Sequence, residues 1–136
     1  MNDDDKFFEM QAEEWIKKAG EDELSAKSIL KHRDGSPSTV CFISHQMAEK
    51  YLKAFLVEKT HDYPKIHLLD VLAELCVKND KNSEQIKEEA VFLNAFYIPA
   101  RYPADYPEFS WHDAEEAYAA AEKIKDFVSK KIKKQV

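Results

Sequence analysis

The chain has 136 residues, 44% of them hydrophobic and 34% charged, which fits one globular domain with a proper core. Its net charge of −6 argues against a general nucleic-acid surface, and its two glycines disfavour β-hairpins and phosphate-binding glycine loops. No segment reaches the roughly 18 apolar residues of a membrane span, and no signal peptide precedes the acidic start. We therefore expect a cytoplasmic protein that does not bind membranes.

The apolar spacing predicts an all-α chain of five helices. The first runs from about Lys6 to Lys31, and Asp22 lies in the middle of its apolar stripe. An unpaired carboxylate is costly to bury. Asp22 is therefore either in contact with solvent or held in a structural ion pair, for which Arg101 or Lys53 is the expected partner.

The second predicted helix, Thr39 to Glu58, is apolar around most of its circumference and should be buried almost all round. Its remaining polar residues fall on one narrow line, which we call the polar stripe: Gln46, Glu49, Lys50 and Lys53. Polar side chains that a buried helix confines to one line must face a partner. The polar stripe is therefore the first place to look for a binding site or an interface.

Three more helices follow in the remaining pattern. They run from Lys65 to about Lys78, from Asn82 to about Ile98, and from Ser110 to about Lys133. Asn82 with Gln85, and Ser110 with Asp113, have the spacing of capping boxes. Cys41 and Cys76 both lie in apolar helical patterns, which predicts reduced cysteines in the core.

The chain contains no P-loop, dinucleotide-binding, C-x-x-C or H-E-x-x-H motif, and we expect no cofactor and no metal. The segment from Tyr97 to Pro103 places Arg101 between two tyrosines at a proline-rich helix end. Arg101 could hold a phosphate or carboxylate, while Tyr97 or Tyr102 stacks on a ring. The alternative, which residue chemistry alone favours, is that Arg101 pairs with Asp22 or Glu49 and holds the loop on the bundle.

Four segments, in order, resemble the HEPN domain family (higher eukaryotes and prokaryotes nucleotide-binding). Residues 45–54, HQMAEKYLKA, resemble the family's second-helix signature, and residues 65–69, KIHLL, its third-helix start. Residues 97–103, YIPARYP, resemble the end of the fourth helix, and residues 12–26 the alanine-rich opening around an acidic residue. The resemblance implies an up-and-down antiparallel four-helix bundle with an additional fifth helix, in a single domain over residues 1–136 that usually dimerises.

The resemblance also implies one of two functions. One lineage contains RNA-cutting toxins with an Arg-x4-6-His active site, but after Arg101 those positions hold Tyr106, Pro107 and Glu108. The next histidine, His112, lies in the predicted cap of the last helix, so the obvious general acid or base is missing. The other lineage binds nucleotides or acts with a small nucleotidyltransferase encoded nearby, and the Arg-Tyr-Pro ending resembles that group.

We therefore predict a homodimeric, non-catalytic nucleotide-binding module that acts with a separately encoded minimal nucleotidyltransferase in a toxin–antitoxin-like pair. The candidate nucleotide contacts are Lys53, His67 and Arg101 for phosphate, and Tyr97 or Tyr102 for the base. One alternative is a metal-independent ribonuclease that uses His67 or His112. The other is a plain homodimerisation domain, in which the polar stripe makes interhelical hydrogen bonds. The alternatives differ in whether the stripe and Arg101 line an open cleft or are sealed by paired side chains.

Overall fold

A computed structural model describes residues 2–97 and 107–132, and within these ranges the chain is helical with no strand. The α-helices are α1 (Asp3–His32), α2 (Pro37–Thr60), α3 (Leu69–Asn79), α4 (Lys87–Leu93) and α5 (Trp111–Lys131). Two 3₁₀ segments, Lys81–Ile86 and Asn94–Phe96, flank α4. The prediction of an all-α helical bundle with five helices is confirmed.

Helix α1 forms a long antiparallel hairpin with α2 because its inward face is made of small residues. Ala12, Ala19 and Ala26 are fully buried, which allows the two backbones to approach closely. The Asn2 side chain caps the start of α1 by accepting from the Asp5 N–H at 2.9 Å. Arg33 ends the helix in the left-handed region, with φ of 56°. The tight turn that follows returns the chain into α2.

Helix α2 is the centre of the bundle and contacts α1, α3, α4 and α5. Val40, Cys41 and all residues from Tyr51 to Val57 are buried, as the apolar circumference of this helix predicted. Cys41 and Cys76 are buried and unpaired, and burial raises the pKa of each thiol to about 12. Both therefore behave as small core residues, in agreement with the sequence pattern.

Helix α3 begins later than its pattern predicts, at Leu69 rather than Lys65. The reason is a cap from a distant part of the chain: Leu69 N–H donates to Asn94 Oδ1 at 2.7 Å, and Asn94 Nδ2 donates to Asp70 Oδ1 at 2.6 Å. Residues 61–68 thus form an irregular connection between α2 and α3, and this connection carries His67.

The two predicted capping boxes have opposite outcomes. Asp80, not Asn82, caps the segment before α4 by accepting from the Asn82 N–H at 3.0 Å, so that prediction was wrong. At α5 the box is present: Asp113 N–H donates to Ser110 Oγ at 3.1 Å, and Ser110 N–H donates to Asp113 Oδ2 at 2.9 Å. Within residues 2–97 and 107–132, none of the helices has both the length and the apolar character that a membrane span requires.

Candidate functional site

The polar stripe of α2 divides into two ion pairs with different surroundings. Lys50 Nζ donates to Asp22 Oδ2 at 2.6 Å and joins α2 to α1. The Lys50 and Asp22 side chains are 25% and 20% exposed, so solvent still screens this pair. Asp22 is held by a cation, but the expectation that Lys53 would be its partner was wrong. The other expected partner, Arg101, lies outside the described residues.

The second pair, Glu49 with Lys53, is buried at the centre of the candidate site. Lys53 Nζ donates to Glu49 Oε2 at 2.8 Å, and the two residues, Lys53 and Glu49, are 4% and 5% exposed. The two residues lie about one helical turn apart on the same face of α2, because residues four apart share a helix face. His67, from the 61–68 connection, brings Nδ1 to 2.9 Å from the same Glu49 oxygen. One carboxylate oxygen therefore accepts from a lysine and a histidine.

His45 adds a buried imidazole to this cluster. It is fully buried, and burial lowers its pKa to about 4 although the Glu49 carboxylate acts in the opposite direction. The ring is therefore neutral at pH 7. Its Nδ1 lies 3.8 Å from Glu49 Oε1, beyond hydrogen-bond distance, and the His67 backbone lies close enough to the ring to act, as Glu49 does, towards a higher pKa.

Three aromatic rings stack beside the carboxylate. The Tyr97 ring centroid lies 5.3 Å from that of His45, with an interplanar angle of 28°. It lies 5.7 Å from that of His67, at 16°. Tyr97 therefore engages two imidazoles and fixes the plane of the exposed one. Since Glu49 binds Nδ1 of His67, the other ring nitrogen, Nε2, remains for a ligand.

Lys53 is enclosed on its other side by two aromatic rings. Its Nζ lies 5.6 Å from the centroid of Trp15 and 6.0 Å from that of Tyr63, within the range of cation–π attraction. The two rings pack edge to face at 5.2 Å. Lys53 therefore neutralises Glu49 inside the protein and has little surface for direct contact with a ligand.

The structure brings three of the predicted site residues together and separates others. Lys53 and His67 both bind Glu49, and Tyr97 stacks on His67. Lys50 pairs with Asp22 instead, and Gln46 is partly exposed. Arg101 and Tyr102 lie outside the described residues. His112 is 78% exposed at the start of α5, where Nε2 lies 3.2 Å from Glu116 Oε1.

Sequence reasoning missed His45 and the aromatic pair Trp15 and Tyr63. His45 stands four residues before Glu49, so the same spacing that grouped the stripe could have shown that these two share a face. No comparable signal exists for Tyr63, which reaches the cluster from an irregular segment. Within residues 2–97 and 107–132, no group of three His, Cys, Asp or Glu residues could hold a metal ion.

The fold and the cluster define a helical-bundle domain whose central helix carries a carboxylate–lysine pair near its middle, with a histidine from the 61–68 connection bound to the carboxylate. A model of the HEPN domain family matches residues 12–132, and the chain belongs to that family. A comparison with curated proteins finds no significant match.

Two solved structures are similar to this chain over most of its length. The protein TT1696 from Thermus thermophilus is 28% identical, with a TM-score of 0.76 over 89% of this chain and 98% of that one. ST0689, an archaeal HEPN homologue, is 30% identical, with a TM-score of 0.69 over 90% of this chain and 98% of that one.

The two ion pairs should differ in their contribution to stability. Glu49→Gln leaves the enclosed Lys53 ammonium without its counter-charge, so we expect the free energy of unfolding to fall by about 3 kcal/mol or more. Asp22→Asn, the matched control on the screened pair, should cost about 1 kcal/mol or less. Urea denaturation of both variants measures the difference. Equal losses of unfolding free energy would contradict the conclusion that the Glu49–Lys53 pair is buried and the Asp22–Lys50 pair is screened by solvent.

His45 should make stability depend on pH. Its pKa is lower in the folded protein than in the unfolded chain, so the unfolded chain binds more protons between pH 6.5 and about 4. The stabilisation by neutral His45 is complete above pH 6.5 and is lost as the pH falls towards 4, by about 3 kcal/mol in all.

The variant His45→Gln cannot take up this proton and serves as the reference. As the pH falls from 6.5 towards 4, we expect the unfolding free energy of the wild type to decrease relative to that of this variant. Denaturation curves at a series of pH values give the difference, and parallel pH profiles would contradict the prediction.

Proposed function

We propose that this HEPN domain is a non-catalytic nucleotide-binding module that acts with a separately encoded minimal nucleotidyltransferase. The observation that carries the proposal is that Lys53 and His67 both bind Glu49, while Tyr97 stacks on the His67 ring, so that three segments of the chain meet there. The sequence predicted Tyr97 as a stacking ring from its residue chemistry, and Lys53 and His67 as phosphate contacts from the family resemblance. Their meeting at a half-exposed imidazole supports a small-ligand site beside the middle of α2.

His67 is the group that contacts phosphate in this proposal. Its side chain is 54% exposed, and Glu49 and Tyr97 fix its orientation. When protonated, His67 donates from Nδ1 to Glu49 and from Nε2 to a phosphate oxygen. Lys53 contributes by holding Glu49 in place, and Arg101 supplies the second phosphate contact. Tyr102 stays a candidate for the base.

Two features support a small anionic ligand and a non-catalytic role. A chain with a net charge of −6 repels long nucleic acids, but one or two local cations suffice for a single nucleotide. The positions after Arg101 where a ribonuclease would carry its histidine hold Tyr106, Pro107 and Glu108. The nucleotidyltransferase partner rests on the resemblance of the Arg-Tyr-Pro ending to that branch of the family.

A plain homodimerisation domain is the second candidate, because the three charged residues of the polar stripe are held in ion pairs within the chain. Glu49 and Lys53 are enclosed, and Lys50 is paired with Asp22. Large apolar side chains also remain more than a third exposed, among them Phe7, Met10, Val91 and Phe92. A homodimer is compatible with both candidates, since a second copy can cover such side chains.

The oligomeric state is measured directly. Size-exclusion chromatography with light scattering should give about twice the 15.8 kDa mass of one chain at micromolar concentration. A mass of one chain over the whole concentration range would contradict the homodimer.

Binding should depend on His67 and on salt. Titration calorimetry with ATP, GTP and their monophosphates should show weak binding by the wild type that is lost at high ionic strength. His67→Ala and Arg101→Ala should each weaken it roughly ten- to a hundred-fold, since each removes a charge-assisted contact. His112→Ala, which removes an exposed imidazole outside the cluster, is the control and should bind as the wild type does.

Two results would contradict the proposal. If the wild type binds none of these nucleotides, the domain is not a nucleotide-binding module, and homodimerisation is the better function. If purified protein cleaves RNA, and His67→Ala or His112→Ala stops the cleavage, the domain is a ribonuclease.

A further inference from the structure

A shallow cleft lies against the two aromatic rings, Trp15 and Tyr63, that face the Lys53 ammonium. It has a volume of about 330 Å³, at the low end of the range for small-molecule sites. Four of its lining residues come from α1 and one from the 61–68 connection: Gln11, Glu14, Trp15, Lys18 and Tyr63. The connection that supplies Tyr63 also supplies His67. The cleft wall and His67 are linked through the buried pair: Lys53 Nζ lies 5.6 Å from the Trp15 ring centroid and 2.8 Å from Glu49 Oε2, and His67 Nδ1 lies 2.9 Å from the same oxygen.

The wall of this cleft is an aromatic surface backed by a cation. The Trp15 and Tyr63 rings cover the Lys53 ammonium, which is only 4% exposed and does not line the cleft. Both rings are partly buried, so each keeps some surface towards solvent. A planar ring gains from stacking on such a surface, and the edge-to-face packing of the two side chains holds it in place.

A nucleotide base needs another stacking surface because the Tyr97 ring already stacks on two histidine rings. The sequence assigned base stacking to Tyr97 or Tyr102, but the Tyr97 ring stacks with both His45 and His67. Among the described residues, Trp15 and Tyr63 form the aromatic pair that lines a cleft beside the cluster. Gln11, at the rim, offers an amide that donates and accepts, which matches the N7 and amino group of adenine.

We propose that the base of an adenine mononucleotide stacks on Trp15 and Tyr63, with its edge towards Gln11 and its phosphate towards His67. This inference rests on the proposed nucleotide-binding function and adds to it the position and class of the base. Glu14 and Lys18 both line the cleft and their charges offset each other, so the cleft has no net positive charge for a phosphate, which favours the orientation with phosphate at His67.

Fluorescence of Trp15 tests the position of the base. The chain has two tryptophans, and Trp111 lies outside the cleft, with the Arg33 guanidinium 4.4 Å from its ring centroid. Trp111→Phe therefore gives a protein that reports on Trp15 alone. AMP should change its emission saturably, with the Kd found by calorimetry, whereas ribose 5-phosphate, which lacks a base, should leave the emission unchanged.

Two variants measure the contribution of the cleft to affinity. Trp15→Ala should weaken AMP binding roughly ten- to a hundred-fold and leave ribose 5-phosphate binding unchanged. Gln11→Ala, a rim substitution that does not disturb the core, should weaken AMP binding several-fold. Gln85→Ala, an amide removed from the exposed face of the 3₁₀ segment before α4, is its control and should bind AMP as the wild type does.

The outcomes separate this inference from the function on which it rests. If AMP binds by calorimetry but leaves Trp15 emission unchanged and binds Gln11→Ala with wild-type affinity, the base lies elsewhere, and this inference alone is overturned. If the wild type binds GTP or GMP but neither AMP nor ATP, the inference of an adenine base is overturned alone. If it binds none of ATP, GTP and their monophosphates, the nucleotide-binding function and this inference fall together.

Discussion

The candidate site depends on one buried ion pair, Glu49 with Lys53, in the middle of the central helix. Removing both charges from water is costly, and their mutual attraction alone does not repay that cost. The surroundings offset it: His67 shares the carboxylate oxygen, and the Trp15 and Tyr63 rings face the ammonium. Glu49 thereby fixes the position of the exposed imidazole, while Lys53 holds the carboxylate in place. A buried pair with so many neighbours specifies a geometry more than it adds stability.

How much of the fold could be predicted depended on whether the signal was local. The burial of α2 and the Ser110 cap of α5 follow from residues close in sequence, and both predictions were confirmed. The start of α3 could not be predicted in this way. Its cap is Asn94, a residue 25 positions away whose side chain reaches the Leu69 N–H. The local pattern also predicted a fourth helix that continues to about Ile98. In the structure α4 ends at Leu93, and a 3₁₀ turn, Asn94–Phe96, follows it.

The same distinction applies to the site. Helical spacing correctly placed Glu49 and Lys53 on one line, because residues four apart share a face. It could not tell which lysine meets Asp22, since that depends on where α1 crosses α2, and Lys50 rather than Lys53 lies at the crossing. The role of the aromatic pair was hidden for a similar reason: Tyr63 comes from an irregular connection whose path no periodicity describes. Sequence thus identified the central helix and its charges, and tertiary packing decided their partners.

The measurement that tests the central claim most directly is NMR of the histidine rings during addition of AMP. The chain has five histidines, and the proposed site predicts that the ring signals of His67 shift with bound nucleotide. The signals of His32 and His112, on the exposed ends of α1 and α5, should stay where they are. A saturable shift confined to the cluster is the result that this account predicts. Ring signals that remain unchanged, or that shift at His112 instead of His67, would contradict it.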